Sequence, residues 1–145
     1  MNSRPLTIYI SGPMRGYPEN NFPAFDKAKQ TLSAMGYLVM SPADSDRELW
    51  KTTPPEQVPL SEYMRRDLLD MDQCDIMVLL ENWENSSGTA VELAYAQYLD
   101  LPVFDFGPWL PEEDETSSWY RLDEIEASIT PPLSISDKEN LNELG

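Results

Sequence analysis

Apolar residues along this chain gather into short β-rich runs separated by stretches with helical spacing. Leu6-Thr7-Ile8-Tyr9-Ile10 and Ile76-Met77-Val78-Leu79-Leu80 are the clearest runs. With two weaker ones they predict strands over 6–10, 37–41, 75–80 and 102–106, and the segments between them predict helices over 21–35, 59–73 and 88–99. Strands alternating with helices imply a parallel sheet covered on both faces, because each parallel pair needs a crossover that packs back on the sheet. The expected class is therefore α/β, a Rossmann- or flavodoxin-like doubly wound parallel sheet in a single domain, placed at 1–110.

One interval interrupts the alternation. Residues 42–59 are polar and proline-rich, with Asp44, Trp50, Lys51 and Pro54-Pro55. A long loop is expected there, either a lid over a ligand or a surface excursion with Trp50 packed on the body. Beyond Phe106 the pattern fades into the turn-rich Gly107-Pro108-Trp109-Leu110-Pro111. Residues 111–145 form an acidic extension, expected as a helix near 112–126 followed by a partly ordered or partner-docked tail.

Charge changes the picture. The net charge of −16 opposes a nucleic-acid polymer as partner, since phosphate contacts dominate such binding. Ten acids and two bases after residue 110 supply half of it, a net of −8, so an anion site must be made locally positive. The lone cysteine, Cys74, rules out an intrachain disulfide and is expected to pack as a small apolar residue. No apolar run approaches the ~20 residues of a membrane span, and the N-terminus lacks a signal-peptide pattern. The expectation is a cytoplasmic chain with no membrane partner. With no histidine, acid–base work falls on carboxylates, tyrosines or solvent, and most zinc sites are removed; neither metal nor cofactor is expected.

Two loops carry candidate chemistry. Gly88-Thr89-Ala90-Val91-Glu92 opens a helix just after the buried run 76–80, so Glu92 is expected in the first helical turn, at the carboxyl end of a strand. There the positive end of the helix would keep it ionised and suited to act as a nucleophile. Thr89-x-x-Glu92 equally fits a capping box without chemistry. At the N-terminus, Leu6–Ile10 breaks into Ser11-Gly12-Pro13-Met14-Arg15-Gly16 before a helix. Strand, glycine-bearing loop and helix often build a phosphate site, with Arg15 as a forked cation; an ordinary polar turn is the plainer alternative. Arg65 and Arg66 beside Glu62 read as a solvated helix face.

Taken together, Ser11-Gly12-Pro13-Met14-Arg15-Gly16, Arg66-Asp67-Leu68-Leu69, Cys74-Asp75 and Ser86-Ser87-Gly88-Thr89-Ala90-Val91-Glu92 resemble the nucleoside 2-deoxyribosyltransferase superfamily over about residues 6–106. Within it the chain is most similar to nucleoside 5'-monophosphate N-glycosidases and small phage and bacterial relatives. The resemblance implies that Glu92 attacks the anomeric carbon of the sugar, and that Asp67 positions the sugar or protonates the leaving base. Asp67 otherwise reads as one of several solvated acids beside Asp70 and Asp72.

Transferases acting on free nucleosides usually have an aspartate two residues before the motif glycine; here the residue is Ser86. A hydroxyl donates to a phosphate that a carboxylate would repel, so Ser86 and Arg15 imply a 5'-monophosphate. The substrate-binding set implied is Ser11, Gly12, Met14, Arg15, Gly16, Ser86 and Gly88. The resemblance also implies a homo-oligomer with shared sites, with Ser117 or Ser118 reaching the neighbouring subunit. Expected activity is hydrolysis or transfer at the N-glycosidic bond of a small-molecule nucleotide or nucleoside. A non-catalytic nucleotide-binding module, an NAD-cleaving relative and an acidic decoy mimicking DNA are the alternatives.

Overall fold

The four β-rich runs pair side by side, all parallel, in the computed structural model, which describes residues 5–107. The strands are β1 (Thr7–Ser11), β2 (Leu38–Met40), β3 (Ile76–Leu80) and β4 (Val103–Gly107), in spatial order β2-β1-β3-β4. The helices between them are α1 (Phe22–Ala34), α2 (Pro42–Trp50), α3 (Leu60–Met71) and α4 (Ser87–Tyr98). This is the doubly wound α/β arrangement expected from the alternation of runs. Residues 108–110 and the extension at 111–145, with Ser117 and Ser118, lie outside the described residues.

Residue alternation along the strands makes two cores. Ile8, Ile10, Ile76, Val78 and Leu80 face Phe25, Ala28 and Leu32 of α1 and Ala43 of α2. Tyr9, Met77 and Leu79 point the other way and pack with Met71 of α3 and Ala96 of α4. Every residue of β3 is buried, as befits an inner strand covered on both faces. Leu38 of the edge strand β2 is 55% exposed.

The segment 42–59 corrects the expectation of a long loop. It begins with a nine-residue helix, α2, which the Ser41 hydroxyl caps by accepting from the Ala43 amide at 3.2 Å. Pro42 sits in the first turn, where its missing amide hydrogen has no helical partner to lose and its fixed φ is already helical. A proline that reads as a breaker is here a helix starter. Pro42, Ala43 and Asp46 are buried, so the segment is also less superficial than its polarity implies. Cys74 is buried as expected, and burial pushes its thiol up to about 12.

The chain runs outward from β1 to β2, then crosses back to β3 on the other side of β1. Loops after β1 and β3 therefore diverge and leave a crevice above their carboxyl ends, the usual ligand position in such sheets. Asp75 locks the opposite end: its carboxylate accepts from the Thr7 amide at 2.8 Å, and its own amide donates to the Thr7 carbonyl at 2.7 Å.

Candidate active site

Glu92 lies at the crevice because α4 turns one stripe toward the sheet. Thr89, Glu92 and Ala96, three and four residues apart, are its buried positions. Glu92 occupies the middle of that stripe, where an apolar side chain would be the ordinary choice, and is 4% exposed. β1 supplies the compensation. Tyr9 and Ser11, two apart and hence on one strand face, donate to Glu92: Tyr9 Oη to Oε2 at 3.2 Å and Ser11 Oγ to Oε1 at 2.5 Å. Ser11 and Thr89 hydroxyls are also 2.8 Å apart. Because the single Ser11 proton is committed to Glu92, Thr89 donates in that pair.

Two features of Glu92 differ from the sequence expectation. α4 starts at Ser87, and Ser86 is its cap, its hydroxyl accepting from the Thr89 amide at 3.0 Å. Glu92 is thus in the second turn, and the Thr89/Glu92 capping box does not form. Nor does the helix field dominate its charge: burial raises the Glu92 pKa, opposed by hydrogen bonds from Ser11, Asp67 and Tyr9. Desolvation acts on the whole carboxylate, whereas helix-end fields fade within the first turn.

The partner in this balance is Asp67 of α3. Burial, the nearby Glu92 charge and a hydrogen bond to Glu92 hold the Asp67 carboxyl well above the usual carboxylate range. Two carboxyls in contact share a proton because both cannot ionise cheaply. Glu92 has the extra donors, so the charge resides there and the proton on Asp67. Tyr9 stays neutral, raised by burial and by Glu92. Asp67 is therefore a half-buried member of a coupled pair, not a solvated acid.

The pair borders a pocket of about 670 Å³. Gly12, Met14, Arg15, Asp67, Ser86, Gly88 and Glu92 all line it. Ser11 does not; it acts on Glu92 from behind. Gly16 also lies outside the lining and serves the turn, with φ +87. Gly12 is required by packing, since a Cβ there would come within 2.9 Å of Leu80 Cβ. Arg15 is exposed at the pocket wall. Ser86 is half-buried, and its capping role uses an acceptor lone pair, which leaves its own proton available to a ligand.

Several site residues escape sequence reading. Tyr9 looks like an ordinary core strand residue, and only its contact across 83 positions reveals a polar task. Trp50 joins Tyr63 in the pocket lining, stacks on Phe22 at 5.7 Å and donates to Tyr63 Oη at 3.0 Å. Asp46, buried on α2, also lines the pocket. Burial pushes its carboxyl up to about 6 and Glu92 adds to this, against the opposing field of Arg66. Arg65 forms an ion pair with Glu62, as a solvated face would. Arg66 differs: its Nε is buried without a hydrogen-bond partner. Among the described residues no group of three or more potential ligands is placed to hold a metal ion, and no helix is long and apolar enough to cross a membrane.

Known proteins with this architecture include the 2-deoxyribosyltransferase of the psychrotolerant bacterium Bacillus psychrosaccharolyticus. It superposes with a TM-score of 0.53 at 24% identity, over 72% of this chain and 75% of that one. The 2-deoxyribosyltransferase of Leishmania mexicana gives the same TM-score of 0.53 at 20% identity, over 71% of this chain and 65% of its own length. No curated protein sequence matches significantly. At these identities the likeness is one of fold. Residues 6–105, which take in β1 to β3, the start of β4 and all the pocket-lining residues, match the family described as a domain of unknown function (DUF4406), and the chain belongs to that family.

Proposed function

We propose that this protein cleaves the N-glycosidic bond of a nucleoside 5'-monophosphate, with Glu92 as nucleophile and Asp67 as general acid. The observation that carries the reading is the buried Glu92 carboxylate, braced by Ser11 and Tyr9 and hydrogen-bonded to Asp67 at the wall of a pocket of about 670 Å³. That the two structural neighbours are by name 2-deoxyribosyltransferases supports it.

The chemistry follows from the pair. As the bond from C1' to the base nitrogen breaks, positive charge builds at C1' and Glu92 captures it as an ester. The Asp67 proton, which bonds to Glu92 in the free protein, passes to the departing base. Water then attacks C1', the ester to Glu92 breaks, and Asp67 takes up the water's proton; a second base in place of water completes transfer instead. An inverting mechanism needs a gap of roughly 6.5–9.5 Å between its two carboxyls to hold the attacking water. These two are in hydrogen-bond contact, which favours the two-step course.

Arg15, the Ser86 hydroxyl and the unpaired amides of the first turn of α4 form the phosphate end in this reading. A homo-oligomer with shared sites is part of the same proposal, tested by light scattering. The principal test incubates the protein with ribo- and deoxyribonucleoside 5'-monophosphates and the matching nucleosides, following free base by chromatography. Release of base from nucleotides is expected. Tight binding without release would make the protein a nucleotide-binding module.

A further inference from the structure

The reaction proposed above gives Asp46 no part, yet its situation calls for one. The residue is 8% exposed and lines the pocket. Among the described residues it makes no hydrogen bond and no ion pair; Arg66 acts on it only through its field. Buried polar groups are ordinarily partnered, so a carboxyl left open on a pocket wall is completed by what enters the pocket.

Its neighbours say what that is. Trp50 follows four residues later on α2, so carboxyl and indole share one helix face, and both line the pocket. A flat apolar surface beside a hydrogen-bond acceptor matches a nucleobase. The order of elements agrees. α2 leaves the sheet from β2 and the Ser86 loop leaves it from β3, with β1 between them carrying the residues that hold Glu92. Two strand spacings, roughly 10 Å, thus separate a phosphate end at Ser86 from a base end at Asp46, with the attacking carboxylate in the middle.

We propose that Asp46 is the specificity residue for the leaving base and selects bases that carry an exocyclic amine over their oxo counterparts. An amine donates to the Asp46 carboxylate, whereas a carbonyl at the same place sets lone pairs against it and leaves the buried acid unsatisfied. Adenine is favoured over hypoxanthine, or cytosine over uracil. The inference rests on the nucleotide-cleavage reading for the placement of the base, but its test does not require turnover.

The experiment compares AMP with IMP and CMP with UMP, by base release and by calorimetric binding, in the unaltered protein and in Asp46→Asn and Asp46→Leu. A preference of about tenfold or more for the amino member of at least one pair is expected, falling to about threefold or less in both variants. Thermal melts establish that the variants are folded. If one is not, the other and the ratio in the unaltered protein decide. Equal handling within both pairs, a preference for the oxo members, or a ratio unchanged in the folded variants overturns the assignment. Absence of base release from every nucleotide defeats the cleavage reading alone, because the binding ratios still decide the role of Asp46.

Discussion

The Ser11 hydroxyl donates to Glu92 Oε1 at 2.5 Å across 81 positions of sequence, and Thr89 donates to Ser11 in turn. This short relay ties the end of β1 to the second turn of α4 and lowers the cost of holding a carboxylate among apolar neighbours. It also predicts a pH effect. Removing the Ser11 donor raises the Glu92 pKa further, so in Ser11→Ala the acid limb of the kcat/KM profile moves to higher pH. A hydrogen bond to a charged group contributes about 1.5–3 kcal/mol, and kcat/KM is expected to fall by about ten- to a hundredfold, more at pH 6 than at pH 8. An unshifted limb would mean that Ser11 only packs.

Glu92→Gln keeps the shape and removes the carboxylate charge proposed to attack C1'. Base release is expected to fall by more than about a thousandfold, with nucleotide binding by calorimetry largely preserved. Near-native release in this variant would return Glu92 to a structural role.

Asp67→Asn removes the proposed proton donor. The loss is expected to be greatest, about 10²–10⁴-fold, for bases that leave poorly and small for activated ones. Because the Asp67 pKa is raised, its acid form persists through neutral pH in the unaltered protein, and its loss of the proton sets the alkaline limb of the activity profile. That alkaline limb disappears in the variant. Equal losses for all leaving groups would make Asp67 a positioning residue.

Arg15→Ala is expected to weaken a 5'-monophosphate by about ten- to a hundredfold while leaving the corresponding nucleoside almost unaffected. Ser86→Asp sets a carboxylate at the same place and moves preference toward the nucleoside, read as the ratio of kcat/KM values. An unchanged ratio in both variants would remove the phosphate from this end of the pocket.

Buried acids predict a stability profile of unusual sign. Asp46 titrates at about 6 in the fold against 3.8 for the unperturbed group. Between those values the folded state holds a proton that the unfolded chain has lost, so the contribution is fully present below about pH 4 and is lost as pH rises through 6. Asp46→Asn is therefore expected to raise the melting temperature at pH 7.5 and to flatten its decline between pH 4.5 and 7. Parallel profiles for both proteins would contradict the assigned pKa.

The segments in which local spacing and tertiary burial agree were legible in advance. β1, β3, α3 and α4 fall within a residue or two of the ranges predicted from apolar runs and helical periodicity, because those patterns reflect which face each element buries. α2 was not legible. Its nine residues are too few for a periodic signal, and the prolines around it also fit a loop; the Ser41 cap and the first-turn position of Pro42 decide the matter. Two hydroxyl residues, Ser86 and Thr89, compete as the cap of α4, and only backbone geometry selects Ser86, which puts Glu92 in the second turn rather than the first.

For the site the division is sharper. The order of residues alone carries an α/β alternation, two polar loops at strand ends, and Glu92, Asp67, Arg15 and Ser86 in segments that such a sheet brings to one edge. That Glu92 and Asp67 touch, that Tyr9 and Ser11 stand behind them, and that Asp46 faces the same pocket follows from how the elements pack. A carboxyl's charge state is a property of its surroundings. Desolvation and partner contacts here come from residues 81 and 83 positions away in sequence, and no local pattern in the chain encodes them.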